Sequence, residues 1–245
     1  MVFKFVRRIA AGLSDVATSY PFLVAPLTIS VASLIATGSV LGLRHVGVLQ
    51  QLELMIHDSM VRLQREYPPN PRLLIVEITE KDIQAQQRWP LSDAVVAELL
   101  QKLQTYQPKV IGLDIYRDIP QGDGFQQLQQ QFQAANVIGI TKIGDSEDIG
   151  VRPPVALPPE RVGFNDFPLD PDGVVRRNLL IANTETQILY SFSLRLALNY
   201  LESENIFPQA SEINPDYLQL NKTVFIPLEN NSGGYQNIDA SGYQI

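Results

Sequence analysis

The chain has no cysteine. Disulfides and thiolate metal centres are therefore excluded, and the redox compartment stays open, because a cysteine-free protein suits either side of a membrane. Only two histidines occur, His45 and His57. A histidine zinc site or a histidine-based triad has almost nothing to build from. The formal net charge is −7, which argues against a nucleic-acid binder, whose surface must be basic. No phosphate loop of the form G-x-x-x-x-G-K-[ST], no H-E-x-x-H and no G-x-S-x-G elbow is present. The triplet Gly122 to Gly124 is too short for a dinucleotide fingerprint.

A further scarcity is local. From Val16 to Leu43, 28 positions carry no charged residue. The part from Pro21, "PFLVAPLTISVASLIATGSVLGL", is long enough for a bilayer core, which takes about 20 helical residues. Its Thr, Ser and Gly residues are common in membrane helices. Lys4, Arg7, Arg8 and Arg44 face only Asp15 in this region, a net of +3 that leaves −10 for the remainder. The basic residues before the span place the N-terminus in the cytoplasm and the rest of the chain outside. A cleaved signal peptide, with "ATGS" as its cleavage site, a buried soluble helix and the reverse orientation are the alternatives. The first normally has a shorter apolar core of about 7–15 residues.

The segment from His45 to Glu66 repeats apolar residues at Leu49, Leu52, Ile56, Met60 and Leu63, one face of a helix. It reads as a continuation of the membrane helix, either a stalk or the elevated first helix of the domain, with Asp58 and Arg62 positioned to pair on its outer surface. His57 and Asp58 are adjacent, so their side chains diverge by about 100° and make no dyad. "YPPNP" (67–71) breaks this helix. "RLLIVEI" (72–78) then reads as a buried strand. A helix over 92–107 has Val95, Val96, Leu99, Leu100, Leu103 and Tyr106 on its inner face and Ser92 or Asp93 as cap. "KVIGLDIY" is a second strand. A helix over 125–135 turns Phe125, Leu128 and Phe132 inward, and "NVIGITKI" is a third strand.

Alternating strands and helices predict a parallel sheet with helices packed on it. After a polar loop over 144–159 the pattern changes. "RVGFNDF" and "VVRRNLLIA" read as strands joined by "PLDPDG". A helix spans 191–201 with Phe192, Leu196 and Tyr200 inside. "YLQL-NK-TVFIPL" reads as a hairpin with an Asn221-Lys222 turn. Residues 229–245 lack periodicity and read as a flexible tail. The fold class is thus α/β: a membrane-anchoring N-terminal helix, then one three-layer-like domain with a partly parallel sheet, packed helices and a C-terminal β-hairpin. The boundaries are 1–15 cytoplasmic, 16–44 transmembrane, 45–228 extracytoplasmic and 229–245 tail.

Ligands of open parallel sheets bind at the carboxyl ends of the strands. Glu77 and Glu80 close the first strand and Asp114 the second, so these three are the leading ligand contacts, against the alternative of loop-end capping. Trp89, the only tryptophan, is the candidate pocket wall, with core packing as its alternative. Arg176 is the candidate anion contact. Arg176 and Arg177 alternate along a strand and should face opposite sides, with an ion pair to Asp170 or Asp172 competing for either. No catalytic residue, metal ligand or cofactor is assigned. A calcium-loop register with Gly173 sixth puts Pro168 first and Leu179 twelfth, so both key ligands are missing. Asp170-Pro171-Asp172-Gly173 instead has turn chemistry.

Taken in order, these segments resemble the type-2 CHASE domain, an extracytoplasmic sensory domain associated with cyclases, histidine kinases and Ser/Thr kinases. "LELMIHDSMVRLQ" is similar to its opening helix, with Asp58 and Arg62 on a D-x-x-x-R pattern. "PPNPRLLIVEITEKDI" is similar to its first strand and acidic turn. "RWPLSDAVVAELLQKL" resembles its W-P segment and following helix, and "PKVIGLDIY" its second strand. "LPPERVGFNDFPLDPDGVVRRNLLI" resembles its P-D-x-D-G-x-x-R-R segment, and "YSFSLRLAL" the helix after it. The resemblance covers about Gln50 to Pro227. Three departures stand out: Thr79 replaces an Asp, His57 an aromatic residue, and "WPLSD" a W-P-W-x-R run, losing an arginine.

The resemblance implies an N-terminal membrane helix, the sensory domain outside, then several membrane helices and a cytoplasmic effector; residues 1–245 themselves read as single-pass in the inner membrane, with the main domain periplasmic. Its implied partners are the membrane, a small-molecule or environmental stimulus, and a cytoplasmic kinase or cyclase in cis or trans; a homodimer is a separate expectation, from the anchor and the helix over 45–66. No effector sequence lies within residues 1–245, so the expectation is that it is supplied by further sequence or by a partner chain. Two other function classes remain open at this point. One is a membrane-tethered metal-dependent hydrolase using Asp114, Glu77 or Glu80. The other is a structural dimerisation module associating through residues 45–66.

Overall fold

A computed structural model describes residues 21–65, 68–144, 148–183, 187–236 and 243–244. These residues divide into two compact units, the described residues of 21–65 with 229–236 and those of 68–228 with 243–244.

In the first unit, α1 (Pro21–His45) carries Pro26 in its early turns. Its stretch Pro26–His45 is long and apolar enough to cross a membrane, with mean hydropathy 1.7 and no part of that window buried inside the protein. Leu27, Leu34 and Ile35 all project outward. Ser39 Oγ donates to the carbonyl of Ile35 at 2.7 Å, which removes a free hydroxyl from the helix surface. The sequence predicts an unbroken helix into the next segment; instead Gly47, at φ +78°, ends α1 in a turn before α2 (Gln50–Leu63). That left-handed conformation is open to glycine at little steric penalty. His57 Nδ1 lies 3.8 Å from Asp58 Oδ1. This shows that the 100° divergence of adjacent helical side chains does not keep their tips apart.

Residues 229–236, expected as part of a loose tail, close onto these helices. Arg44 donates to the Gly233 carbonyl at 2.6 Å and pairs with Glu53 at 3.1 Å. The Gln236 amide donates to Gln50 Oε1 at 2.9 Å. Tyr235 and Leu54 are buried here. Residues 237–242 and 245 of the same segment, and 1–20 at the other end, lie outside the described residues.

The second unit is α/β. Its parallel sheet has the order β1-β2-β3, from β1 (Ile111–Leu113), β2 (Val137–Thr141) and β3 (Val162–Phe164). Ile111 pairs with Val137 and Gly139 with Val162. One face is covered by α4 (Asp93–Gln104) and α5 (Phe125–Gln131). Leu91, Val96, Leu100, Leu128, Phe132 and Val137 form the centre of that core. The other face meets α6 (Phe192–Glu202). Glycines permit the close approach: a β-carbon on Gly112 would lie 2.6 Å from the Phe192 ring, and one on Gly163 2.6 Å from the Phe192 nitrogen. Helix, sheet, helix is the three-layer arrangement expected. Ser92 caps α4, accepting from the Val95 amide, and Ser191 caps α6 in the same way.

Several expected details change. Residues 73–78 form no regular element and join no ladder, and Leu73, Leu74 and Ile75 are 74, 84 and 81 % exposed. Only Ile78 reaches the core. The apolar run therefore precedes the short helix α3 (Glu80–Gln86) without becoming the buried strand its composition suggests. Tyr106 and Phe125 are exposed at the margins of their helices. On α6, Leu194 is fully buried, while Phe192 and Leu196 are half-buried and pack inward on the sheet at Gly112 as expected. "RVGFNDF" and "VVRRNLLIA" do not pair with each other: β3 joins the parallel sheet, while β4 (Arg177–Asn178) pairs with β10 (Tyr243–Gln244).

The C-terminal third is antiparallel, and it contains the β8–β9 hairpin that the sequence predicts. Strands β5 (Ile181–Asn183) and β6 (Ile188–Tyr190) pair. So do β7 (Pro208–Ala210), β8 (Leu218–Leu220) and β9 (Thr223–Phe225). The β8–β9 turn is Asn221-Lys222, with Asn221 at φ +53°. Leu194, Leu218 and Leu220 form a second small core with Leu180, Tyr190 and Phe225.

Candidate functional site

The carboxyl ends of three parallel strands lie side by side, the place where open sheets hold ligands. Asp114 follows β1 directly. Asn165 follows β3 directly and donates its amide to Asp114 Oδ1 at 3.2 Å. The Asn165 carbonyl oxygen accepts from the Tyr116 hydroxyl at 2.7 Å. Lys142 follows β2 and forms an ion pair with Asp148. Asp166 Oδ2 accepts from the Ile143 amide at 2.9 Å. Hydrogen bonding and charge from Asp148 raise the Lys142 ammonium above its ordinary range, with Asp166 and Tyr116 adding to the effect. The Asp148 carboxyl is held low by Lys142 and by the Gly150 amide.

This rim carries an amide, a phenol, an ammonium and carboxylates, so it can bind polar groups of either sign. Its groups are already bonded to one another, and a ligand here must replace those bonds. Sequence reasoning singled out only Asp114. Tyr116, Lys142, Asn165 and Asp166 also lie one to three residues beyond a parallel strand. The strand-end rule applied to all three strands finds them, once β3 is recognised as parallel.

The other residues singled out in the sequence lie apart from Asp114 in chemistry. Glu77 is exposed on the unpaired segment before α3. Glu80 is the first residue of α3 and accepts from Gln84 at 3.2 Å. The start of α3 is fixed by a capping box: the Asp82 amide donates to Thr79 Oγ1, and the Thr79 amide to Asp82 Oδ2 at 2.8 Å. Thr79, where the resembled family has Asp, is thus the helix cap, and its hydrogen bonds lower the Asp82 pKa. Trp89 is 60 % exposed and precedes Pro90 through a cis bond. No hydrogen bond or ion pair joins Glu77, Glu80 or Trp89 to Asp114. Among the described residues, no three His, Asp or Glu side chains converge in a way that could hold a metal ion.

Arg176 is buried and committed to two carboxylates. It donates to Asp170 Oδ2 at 2.9 Å and to both oxygens of Asp172 at 2.9 and 2.6 Å. Arg177 donates to the other oxygen of Asp170 at 2.8 Å. The two arginines therefore converge where strand alternation predicts divergence. The reason is local: β4 begins only at Arg177, so Arg176 lies on the return arm of the turn, outside the pleat. The Gly173 amide donates to the Asp170 carbonyl at 2.8 Å and the Asp170 amide to that of Val174 at 3.1 Å, which closes the turn. Asp170 is sealed from water between its arginines. Arg176 hydrogen bonding pulls the Asp172 pKa down to about 2, and the Val174 amide assists.

A second buried pair was not anticipated. Arg117, after β1, lies 3.2 Å from Asp93 in the first turn of α4. It also donates to the carbonyls of Leu91 and Tyr116 at 2.9 and 2.8 Å. Burial lowers the Arg117 pKa, opposed by the charge of Asp93. The chain puts an acid at the position where the resembled family has an arginine, and the structure supplies a guanidinium to it from another loop.

Compared with known proteins, the chain matches the CHASE2 domain family over residues 34–242. No curated protein and no solved structure matches it.

Proposed function

The chain belongs to the CHASE2 domain family, which is a family of extracytoplasmic sensory domains, and from this premise we propose that it is the sensory part of a membrane-anchored bacterial receptor. In this reading α1 is the single anchor, the N-terminus is cytoplasmic, and residues 45–228 form the periplasmic sensory domain. The stimulus is coupled to a cytoplasmic kinase or cyclase, in cis or in trans. The observation that carries the reading is the family match running from inside α1 across the α/β unit. The three basic residues before the span support the orientation.

A stimulus shifts such a receptor only by binding its two states with different affinity. The exposed apolar side chains of α2, among them Leu52, Ile56 and Met60, support a homodimer joined along that helix. Parallel copies held in one membrane present this face to each other in register, a geometry suited to passing a change through the anchor.

A topology reporter fused after residue 245 tests the reading. Activity of a periplasmic reporter and silence of a cytoplasmic one is the expected outcome. The reverse result removes the orientation, and with it the sensory assignment.

A further inference from the structure

We propose that the cleft between the loop after β1 and the first turns of α4 binds a small zwitterion bearing a carboxylate and a primary ammonium, the chemistry of a free α-amino acid. The proposal rests on the sensory reading above and names the ligand class for it. The cleft measures about 350 Å³ and is lined by Gln86, Arg88, Ser92, Glu98 and Asp123, among others. That volume is at the small end of ligand pockets, which run from about 300 to 1,000 Å³. The loop over 114–124 leaves the carboxyl end of β1, so the cleft is on the side of the sheet where ligands bind.

The construction of the cleft assigns recognition to side chains. The amides of Asp93 and Ala94 donate to the carbonyls of Gln121 and Asp123 at 2.8 and 2.9 Å. The Val95 amide donates to Ser92 Oγ at 3.4 Å. The first amides of α4 are thereby used up, and an anion must find its donor elsewhere. Arg88 supplies it. Its guanidinium lies across Gly122, where a β-carbon would sit 2.3 Å from Nη1. Gly122 is at φ +70°, so the loop has the backbone and the bare face that let the guanidinium pass.

Among the described residues, the side chains of Arg88, Glu98 and Asp123 make no hydrogen bond or ion pair. They differ in this from the rim around Asp114, whose groups satisfy one another. One cleft thus presents a cation and two anions without partners. A ligand of a single sign leaves part of that set uncompensated. A zwitterion serves both: its carboxylate takes the guanidinium fork, and its ammonium takes Glu98 and Asp123. The hydroxyl of Ser92 and the amide of Gln86 are neutral groups that can fix its orientation.

The test is calorimetric titration of the full chain in nanodiscs with glycine, L-serine and L-lysine. N-acetylglycine, which lacks the ammonium, and glycinamide, which lacks the carboxylate, are titrated beside them. The expected result is binding of at least one amino acid, with both blocked glycines weaker by about tenfold or more. Arg88→Ala and the double substitution Glu98→Gln/Asp123→Asn should each lose about tenfold or more, and Arg88→Lys less. Thermal melts should stay unchanged, because all three side chains are exposed. Equal binding of N-acetylglycine, undiminished binding by Arg88→Ala, or no binding of any of the three amino acids at about 10 mM overturns the proposal. Failure here with a periplasmic residue 245 rejects the ligand class and leaves the sensory reading standing. Binding together with a cytoplasmic residue 245 rejects the sensory reading and leaves the cleft.

Discussion

Asp93 and Arg117 face each other at 3.2 Å with side chains only 1 and 2 % exposed. Their nearest atoms, Oδ1 and Nε, make no aligned hydrogen bond, so their attraction is Coulombic. The remaining bonds of each go to the backbone: Arg117 to Leu91 and Tyr116, and Asp93 Oδ2 from the Gln121 amide. The pair thereby ties the loop after β1 and the segment before α4 to the start of that helix. Removing one partner leaves the other buried and uncompensated. Arg117→Met is expected to lower stability by about 3–5 kcal/mol, measured by urea unfolding. The double substitution Asp93→Asn/Arg117→Met should cost less than the two single changes together. Strict additivity would show that the two charges do not act as a pair.

Asp172 gives the turn at 170–177 a predicted acid dependence. Its folded pKa is depressed to about 2 from an ordinary 3.8, chiefly by Arg176. The folded state therefore holds its proton less tightly than the unfolded chain does. The stabilisation from this group is fully present above about pH 4 and disappears as the pH falls through about 2. Asp172→Asn should flatten the stability profile in that window and leave its shape unchanged from pH 5 to 7. Urea midpoints taken at successive pH values, for the parent and the variant, provide the check. An equal acid slope in both would reject the assignment.

Two glycines should respond differently to the same substitution. A β-carbon on Gly163 meets the Phe192 backbone at 2.5 and 2.6 Å, where β3 passes beneath the capped end of α6. Backbone cannot step aside as a flexible side-chain tip can. Gly163→Ala is expected to cost about 3 kcal/mol or more. Gly173 has open space around it but sits at φ +78°, so Gly173→Ala should cost only about 1–2 kcal/mol. Thermal denaturation of both variants decides the point, and a smaller loss at Gly163 than at Gly173 would contradict the packing described here.

Local pattern made much of this architecture readable. The 3.6-residue spacing of Val96, Leu100 and Leu103 marked the inner face of α4, the β-branched run at 137–141 marked β2, and Asn221-Lys222 marked a two-residue turn. What escaped were relations between distant segments. Nothing in "GLDIYRD" says that Arg117 will find Asp93, because an ion pair has no period. The ion pairs of Arg176 and Arg177 with Asp170 and Asp172 are legible in the turn sequence, but the alternation that sets the two arginines on opposite sides does not hold one residue before the strand begins. Asn165 and Asp166 escaped because "RVGFNDF" has the composition of either a parallel or an antiparallel strand. Of the site residues chosen from sequence, Asp114 lies on the strand-end rim; Arg176 is locked into the turn, and Glu80 faces solvent at the start of α3.

The segment at 72–78 separates the two levels of reading most sharply. Its composition, Leu73-Leu74-Ile75-Val76, is that of a buried strand, and a buried strand tolerates no charge. Leu74 and Ile75 are 84 and 81 % exposed and their backbone joins no sheet. Substitutions at exposed positions away from special features stay within about 0.5 kcal/mol. Leu74→Lys and Ile75→Lys should therefore leave the unfolding midpoint nearly unchanged and reduce self-association, because an exposed apolar strand is an aggregation hazard. A loss of about 2 kcal/mol or more at either position, comparable to burying an uncompensated charge, would place this segment inside the sheet. Val137→Lys, at a fully buried position of β2, is the reference for what such a loss looks like.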